Sequence, residues 1–141
     1  MARVAAANAK GWGAASPANS VGATAKTLPA QSAAVTRGSE TAPAYVEVDW
    51  TALTGSTDTG GLSITSYNLE YDQGSGEPAG GASWSSLVGS PSASLLLTYT
   101  LNGAGVVTGG QAYQFRVRAN NPLGWGPWST ITVVWASAAP A

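Results

Sequence analysis

The sequence predicts an all-β fold, a seven-stranded antiparallel sandwich, and two observations carry that prediction. The first is the stretch 113–119, in which Tyr113, Phe115, Val117 and Ala119 alternate with polar side chains. This period of two is typical of a strand with one buried and one wet face. The second is a series of short apolar runs, about 8–12 residues apart, with turn-forming residues between them, as in β-sandwiches.

The limits of these strands follow from turn-forming residues and from alternation. Pro43 ends the first strand, because proline cannot donate to a ladder of backbone hydrogen bonds. In the second strand Val46, Val48 and Trp50 share one face, and the Gly/Ser/Asp-rich run 54–61 forms the turn after it. The predicted strands are residues 34–41, 44–50, 63–72, 83–88, 93–101, 112–120 and 129–135.

Glycine-rich loops separate the remaining strands. The third strand alternates through Tyr67 and Leu69, and a glycine-rich loop leads to the fourth, which contains Trp84. The fifth strand is predicted from the three consecutive leucines at 95–97. A glycine-rich crossing, 102–110, then leads to the sixth strand. We therefore expect seven strands joined by flexible connections.

Composition excludes several functional classes. The 141 residues are 9% charged, with a net charge of −1 and scattered basic residues, so we expect no nucleic-acid partner. The chain has no cysteine and no histidine, which excludes a disulfide scaffold, a thiolate metal site and the usual general base. No apolar run approaches the ~20 residues of a membrane span, so we expect no membrane insertion within this chain. No metal and no cofactor is predicted.

Residues 2–16 resemble residues 115–129 at an offset of 113 positions. The two stretches read A-R-V-A-A-A-N-A-K-G-W-G-A-A-S and F-R-V-R-A-N-N-P-L-G-W-G-P-W-S. Their shared N-x-x-G-W-G, preceded by R-V, indicates an internal repeat, whereas an alanine-rich, low-complexity tail is the alternative interpretation. On the repeat interpretation, residues 1–29 are the end of a preceding repeat plus a linker, and residues 30–141 are a complete repeat.

Several motifs occur in an order that resembles the fibronectin type III family. Pro43 precedes the second predicted strand and Trp50 ends it. Residues 60–72 then read G-G-L-S-I-T-S-Y-N-L-E-Y-D, and Trp84 follows. Residues 107–113 read V-T-G-G-Q-A-Y, which is similar to the corner of the family before its F strand, although valine replaces the usual leucine.

This resemblance covers roughly residues 30–137 and implies an immunoglobulin-like sandwich with strands A, B, C, C′, E, F and G. On the same basis, residues 1–29 correspond to the F–G end of a preceding fibronectin type III repeat. The loops after the third and fifth strands are longer than is usual in the family. Elaborated loops are places where a partner surface can develop.

Five aromatic and apolar residues are predicted to form the core. The resemblance and the alternation together assign to it Trp50, Tyr67, Tyr113, Phe115 and Val117. Tyr113 would be the tyrosine-corner residue of the family, with its hydroxyl bonded to the backbone a few residues upstream.

Trp125 and Trp128 lie in a segment, W-G-P-W-S, that resembles the W-S-x-W-S box of cytokine-receptor fibronectin domains. In that box tryptophans interleave with arginines of the F strand, which here are Arg116 and Arg118. The resemblance implies a structural clasp of stacked cation–π pairs, each contributing about 0.5–2 kcal/mol. Two alternatives are C-mannosylation of Trp125, which begins a W-x-x-W pattern, and an exposed aromatic platform that binds sugars.

No catalytic constellation is expected. The sequence contains no G-x-S-x-G, P-loop, H-E-x-x-H or C-x-x-C motif. The carboxylates Glu47 and Asp49 alternate onto the outer face of their strand, and we interpret them as solvated surface charge. The chain is therefore predicted not to be an enzyme.

These observations predict a non-catalytic module of a longer extracellular, cell-surface or appendage protein, whose export signal lies outside this chain. Its expected roles are structural spacing, adhesion and protein–protein contact, with neighbouring repeats, identical subunits or other proteins as partners. One alternative is a filament subunit assembled by strand exchange through residues 1–29. Others are an accessory spacer domain of a secreted polysaccharide-degrading enzyme and a cytokine-receptor-like recognition module.

Overall fold

The structure, a computed structural model, describes residues 25–75, 83–102 and 106–137, together with the backbone of residues 7–8 and 11–12. These residues form short strands and a single turn of helix. In chain order they are β1 (Ala7–Asn8), β2 (Gly11–Trp12), β3 (Thr36–Arg37), β4 (Tyr45–Asp49), α1 (Ser56–Thr59), β5 (Ser66–Tyr71), β6 (Ser85–Val88), β7 (Thr98–Asn102), β8 (Ala112–Asn121), β9 (Gly124–Trp125) and β10 (Thr132–Trp135).

Strands β3 to β10 build two antiparallel sheets that form a sandwich. One sheet has the order β3-β4-β7, and the other has the order β10-β8-β5-β6, with β9 also paired to β8. The predicted all-β sandwich is confirmed. It has eight described strands rather than seven, because the segment after β8 contributes the two-residue strand β9.

The core lies between the two sheets, and β8 is its central strand. Buried and half-buried side chains alternate along all of β8, and Phe115 and Val117 on its inner face have no exposed surface. From the other sheet, Val46 and Val48 of β4 are equally buried. Every residue that the sequence assigns to the core is at most 5% exposed, namely Trp50, Tyr67, Tyr113, Phe115 and Val117.

The predicted strand 93–101 differs from the structure in its first half. The leucines at 95–97 precede β7 and are 61%, 54% and 38% exposed. The Tyr67 amide donates to the Ser94 carbonyl in one sheet, and the Trp50 amide donates to the Leu97 carbonyl in the other, at 2.8 and 2.9 Å. The intervening segment therefore crosses between the sheets, and an apolar run by itself does not distinguish a crossing from a strand.

The predicted turn 54–61 contains the short helix α1. Gly60, with φ of 71°, ends this helix, and its amide donates back to the Ser56 carbonyl. The Asn121 side-chain amide, at the end of β8, donates to the Thr59 carbonyl at 3.0 Å. This contact ties α1 to the end of the sandwich where β8 turns into β9.

Tyr113 forms the corner that its motif predicts. Its hydroxyl accepts a hydrogen bond from the Thr108 amide at 2.8 Å and donates to the Val106 carbonyl at 3.2 Å. The ring itself is 2% exposed. The hydroxyl thus satisfies two backbone groups of the crossing that leads into β8.

Replacing Tyr113 with phenylalanine is expected to lower the free energy of unfolding by about 1–2 kcal/mol, because two partly buried backbone groups lose their partner. Urea unfolding of the full chain measures this change. Tyr45→Phe is the matched control, since the Tyr45 ring is 37% exposed, and it should change stability by less than about 0.5 kcal/mol. Equal losses in the two variants would contradict a stabilising role for the corner.

Candidate functional site

The candidate site lies on the outer face of the sheet that contains β8. Since Phe115 and Val117 point inward, the strand's alternation places the side chains of Arg116 and Arg118 on the outer face. Trp125 belongs to β9 and is paired with Asn120, whose side chain shares that face. The outer face therefore combines two cations with neighbouring indole rings.

The arginines and tryptophans stack alternately into a ladder. The Arg116 guanidinium carbon lies 4.2 Å from the centroid of the Trp84 ring and 4.1 Å from that of Trp128. The Arg118 guanidinium carbon lies 4.2 Å from the Trp128 centroid and 4.5 Å from the Trp125 centroid. We call this series, in the order Trp84, Arg116, Trp128, Arg118 and Trp125, the tryptophan–arginine ladder.

An irregular pairing brings Trp128 onto the ladder. Trp125 pairs with Asn120 and Thr132 pairs with Phe115. The seven residue steps from Trp125 to Thr132 therefore lie opposite only five residue steps of β8. With uninterrupted pairing Trp128 would lie opposite Val117, whose side chain is in the core. The two extra residues act as a β-bulge does, re-aiming the indole to the outer face.

The same irregularity accommodates Pro127, which has no amide hydrogen. On either side of it the ladder of backbone bonds continues, because the Gly126 amide donates to the Ala119 carbonyl and the Ser129 amide to the Val117 carbonyl, both at 2.8 Å. Pro127 thus occupies a position in the segment where no backbone donor is required.

Polar groups of β5 anchor both guanidinium groups. Arg116 donates through Nε and Nη2 to one carboxylate oxygen of Glu70, at 3.0 and 2.7 Å, in an ion pair whose side chains are 23% and 16% exposed. Arg118 Nε donates to the Asn68 side-chain oxygen at 3.4 Å. Burial lowers the pKa of Arg118, but an arginine keeps its charge at neutral pH. The cations are therefore held in place between the rings.

All four residues predicted for the clasp, Arg116, Arg118, Trp125 and Trp128, are thus brought together. The stabilising role of this clasp stays a prediction, as does the C-mannosylation of Trp125. Sequence reasoning missed Trp84 as a member of the ladder. Its position depends on the pairing of β6 with β5, which shifts register between Leu69 and Glu70 and so could not be read from local alternation.

The described residues form neither a metal-ligand cluster nor a membrane-spanning helix. Among them, no group of three His, Cys, Asp or Glu residues could hold a metal ion. No helix in the described ranges is long and apolar enough to cross a membrane.

The sandwich has the fibronectin type III fold. It is similar to the sixth fibronectin type III domain of human fibronectin type III domain containing protein 3, with a TM-score of 0.59, 21% identity, and coverage of 85% of this chain and 96% of that one. It is also similar to a human fourth FNIII domain, with a TM-score of 0.63, 16% identity, and coverage of 88% and 92%.

A third similar structure contains domains FN1–FN3 of chicken CNTN1, with a TM-score of 0.56 and 21% identity. This match covers 82% of the present chain but 37% of that one, so the chain corresponds to a part of a multidomain protein there. No family model matches the chain, and no curated protein matches it.

Proposed function

We propose that this protein is a non-catalytic fibronectin type III module of a tandem array, which acts in spacing and protein contact within an extracellular or appendage protein. One observation carries the proposal: the hairpin β1–β2 has the same pairing register as the hairpin β8–β9, shifted by the 113 residues of the sequence repeat. The pairs are Ala7–Trp12 and Asn8–Gly11 in the first hairpin, and Asn120–Trp125 and Asn121–Gly124 in the second.

This agreement supports the assignment of residues 1–29 to the F–G end of a preceding repeat and of residues 30–141 to a complete one. A low-complexity tail has no reason to reproduce the turn length and the register of a hairpin 113 positions away. The similar CNTN1 structure, which carries three such domains in series, gives an example of this arrangement. In the proposed array, this module works by contact with its neighbours.

The denatured mass of the polypeptide from its native source tests the proposal. We expect a mass far above 14.1 kDa, because a tandem array is one covalent chain. A mass near 14.1 kDa would contradict the array and would favour the filament subunit, in which residues 1–29 complete the sheet of a neighbouring molecule. The exposed apolar residues Val133 and Trp135 on β10 favour that second candidate, since they leave apolar surface open to another subunit.

A further inference from the structure

Residues 26–31, which we call the lead-in segment, are bonded into the end of the sandwich. The Thr27 amide donates to the Gly60 carbonyl at 3.0 Å, and the Ala30 amide donates to the Asp58 carbonyl at 2.8 Å. The Asn121 side-chain amide donates to the Thr27 carbonyl at 2.7 Å, in addition to its bond with α1. The lead-in segment is therefore part of the folded module rather than a free tether.

Close packing reinforces these bonds. A Cβ atom at Gly60 would lie 2.1 Å from the Thr27 carbonyl oxygen, and one at Gly126 would lie 2.5 Å from the Pro29 carbonyl oxygen. Pro29 is buried. The Gln31 side-chain amide donates to the Trp128 carbonyl at 2.9 Å, which connects the segment to the tryptophan–arginine ladder. Lifting the segment would break several hydrogen bonds at once.

In the proposed array, the connection between the preceding repeat and the lead-in segment is only about two residues long. The 113-residue offset aligns Thr24 with Ser137, which follows β10 and whose carbonyl accepts a hydrogen bond from Arg37 at 2.6 Å. Lys26, whose ammonium donates to the Gly61 carbonyl at 2.8 Å, comes two positions after Thr24. Two residues span at most about 7 Å, which is less than the ~10 Å between packed sheets. In the proposed array, the end of one module therefore lies close to the lead-in segment of the next.

Two exposed leucines lie at the place of this contact. Leu28 is 48% exposed and Leu123 is 55% exposed. A Leu28 methyl lies 3.3 Å from the position of a Cβ on Gly124, the residue that follows Leu123, so both leucines belong to the same end of the sandwich. At the opposite end, beside the Tyr113 corner, Val106 is 42% exposed. In an array, that end of one module meets the Leu28 end of the next.

We propose that Leu28 and Leu123 form a docking surface for the preceding copy of the repeat, and that this contact holds consecutive modules at a fixed angle. The inference rests on the proposed array. The two leucines would be buried against the neighbouring module, and the connection beside them is short. Both features favour one relative orientation of the modules over free rotation.

The test uses the chain extended at its N-terminus by a second copy of residues 25–113, which completes the preceding repeat. Residual dipolar couplings of the backbone amides report the orientation of each module. We expect one alignment tensor to fit both modules of this protein. Leu28→Asp and Leu123→Asp, each made in the downstream module, should each give two different tensors. The control is Val133→Asp in the same module, at a 52% exposed residue on the side of the sandwich, and it should leave the shared tensor unchanged.

Two different tensors in the unsubstituted protein, or a shared tensor in both aspartate variants at Leu28 and Leu123, would overturn the docking surface. Those results leave the array standing, because both modules are folded in them. An upstream module that gives the amide spectrum of an unfolded chain would overturn both the array and the docking surface. Amide dispersion in the same spectra therefore separates the two failures.

Discussion

Replacing Trp128 with alanine is expected to lower the free energy of unfolding by about 2–4 kcal/mol, because a half-buried indole and two cation–π contacts are lost together. Trp128 is the central ring of the ladder, with Arg116 on one side and Arg118 on the other. In the variant, Arg116 would keep its ion pair with Glu70. Arg118 would keep only its long hydrogen bond to Asn68 and its contact with the Trp125 ring. Equilibrium unfolding in urea measures the loss.

Trp135→Ala is the matched control for this change. Trp135 lies on β10 in the same sheet, but it is 58% exposed and is not among the tryptophans that form cation–π pairs with Arg116 and Arg118. We expect this variant to lose less than about 1 kcal/mol. If both tryptophan variants lose the same stability, the ladder does not act as a clasp and its indoles contribute only as ordinary apolar surface.

Replacing Gly89 with alanine is expected to cost more than about 4 kcal/mol, because two unfavourable effects combine there. Gly89 has φ of 89°, a backbone conformation that side chains disfavour. A Cβ atom at this position would lie 1.8 Å from the Tyr67 carbonyl oxygen, which belongs to the backbone of β5 and cannot move aside alone. We expect the variant to be largely unfolded or to melt at a much lower temperature.

Gly55→Ala separates these two effects. Gly55 has nearly the same φ, 80°, but nothing lies within 4 Å of its Cβ position. Gly55 also has ψ of 148°, a region that is almost exclusive to glycine, so backbone strain alone should cost about 1–3 kcal/mol there. Circular dichroism and the amide spectrum distinguish folded from unfolded protein for both variants. Similar stability in the two would mean that the close approach of residue 89 to β5 does not constrain the fold.

The ladder and the lead-in segment meet at Trp128. Its ring holds the two arginines, while its carbonyl accepts the hydrogen bond from Gln31. In the proposed array, a load applied through the preceding module would reach the lead-in segment first and then the sheet that carries the ladder. In that array, the connection to the neighbouring module would be continuous with the face that carries the ladder.

Local patterns in the sequence were sufficient for the all-β class and for the inner face of β8. Phe115 and Val117 are separated by one residue, and in a strand that spacing places both on one face whatever the neighbouring strands do. The arginines between and beyond them were assigned to the outer face for the same reason. The repeated N-x-x-G-W-G motif was likewise visible in the sequence, but the β1–β2 and β8–β9 hairpins that contain it were not predicted.

By itself, then, the sequence determined the fold class and the two faces of β8. Tertiary structure alone decided that the leucines at 95–97 cross between sheets, that Trp84 joins the ladder through a register shift in β5–β6, and that the lead-in segment bonds to α1. Alternation is a property of neighbouring residues, whereas register, sheet crossing and docking depend on pairings between residues far apart in the chain.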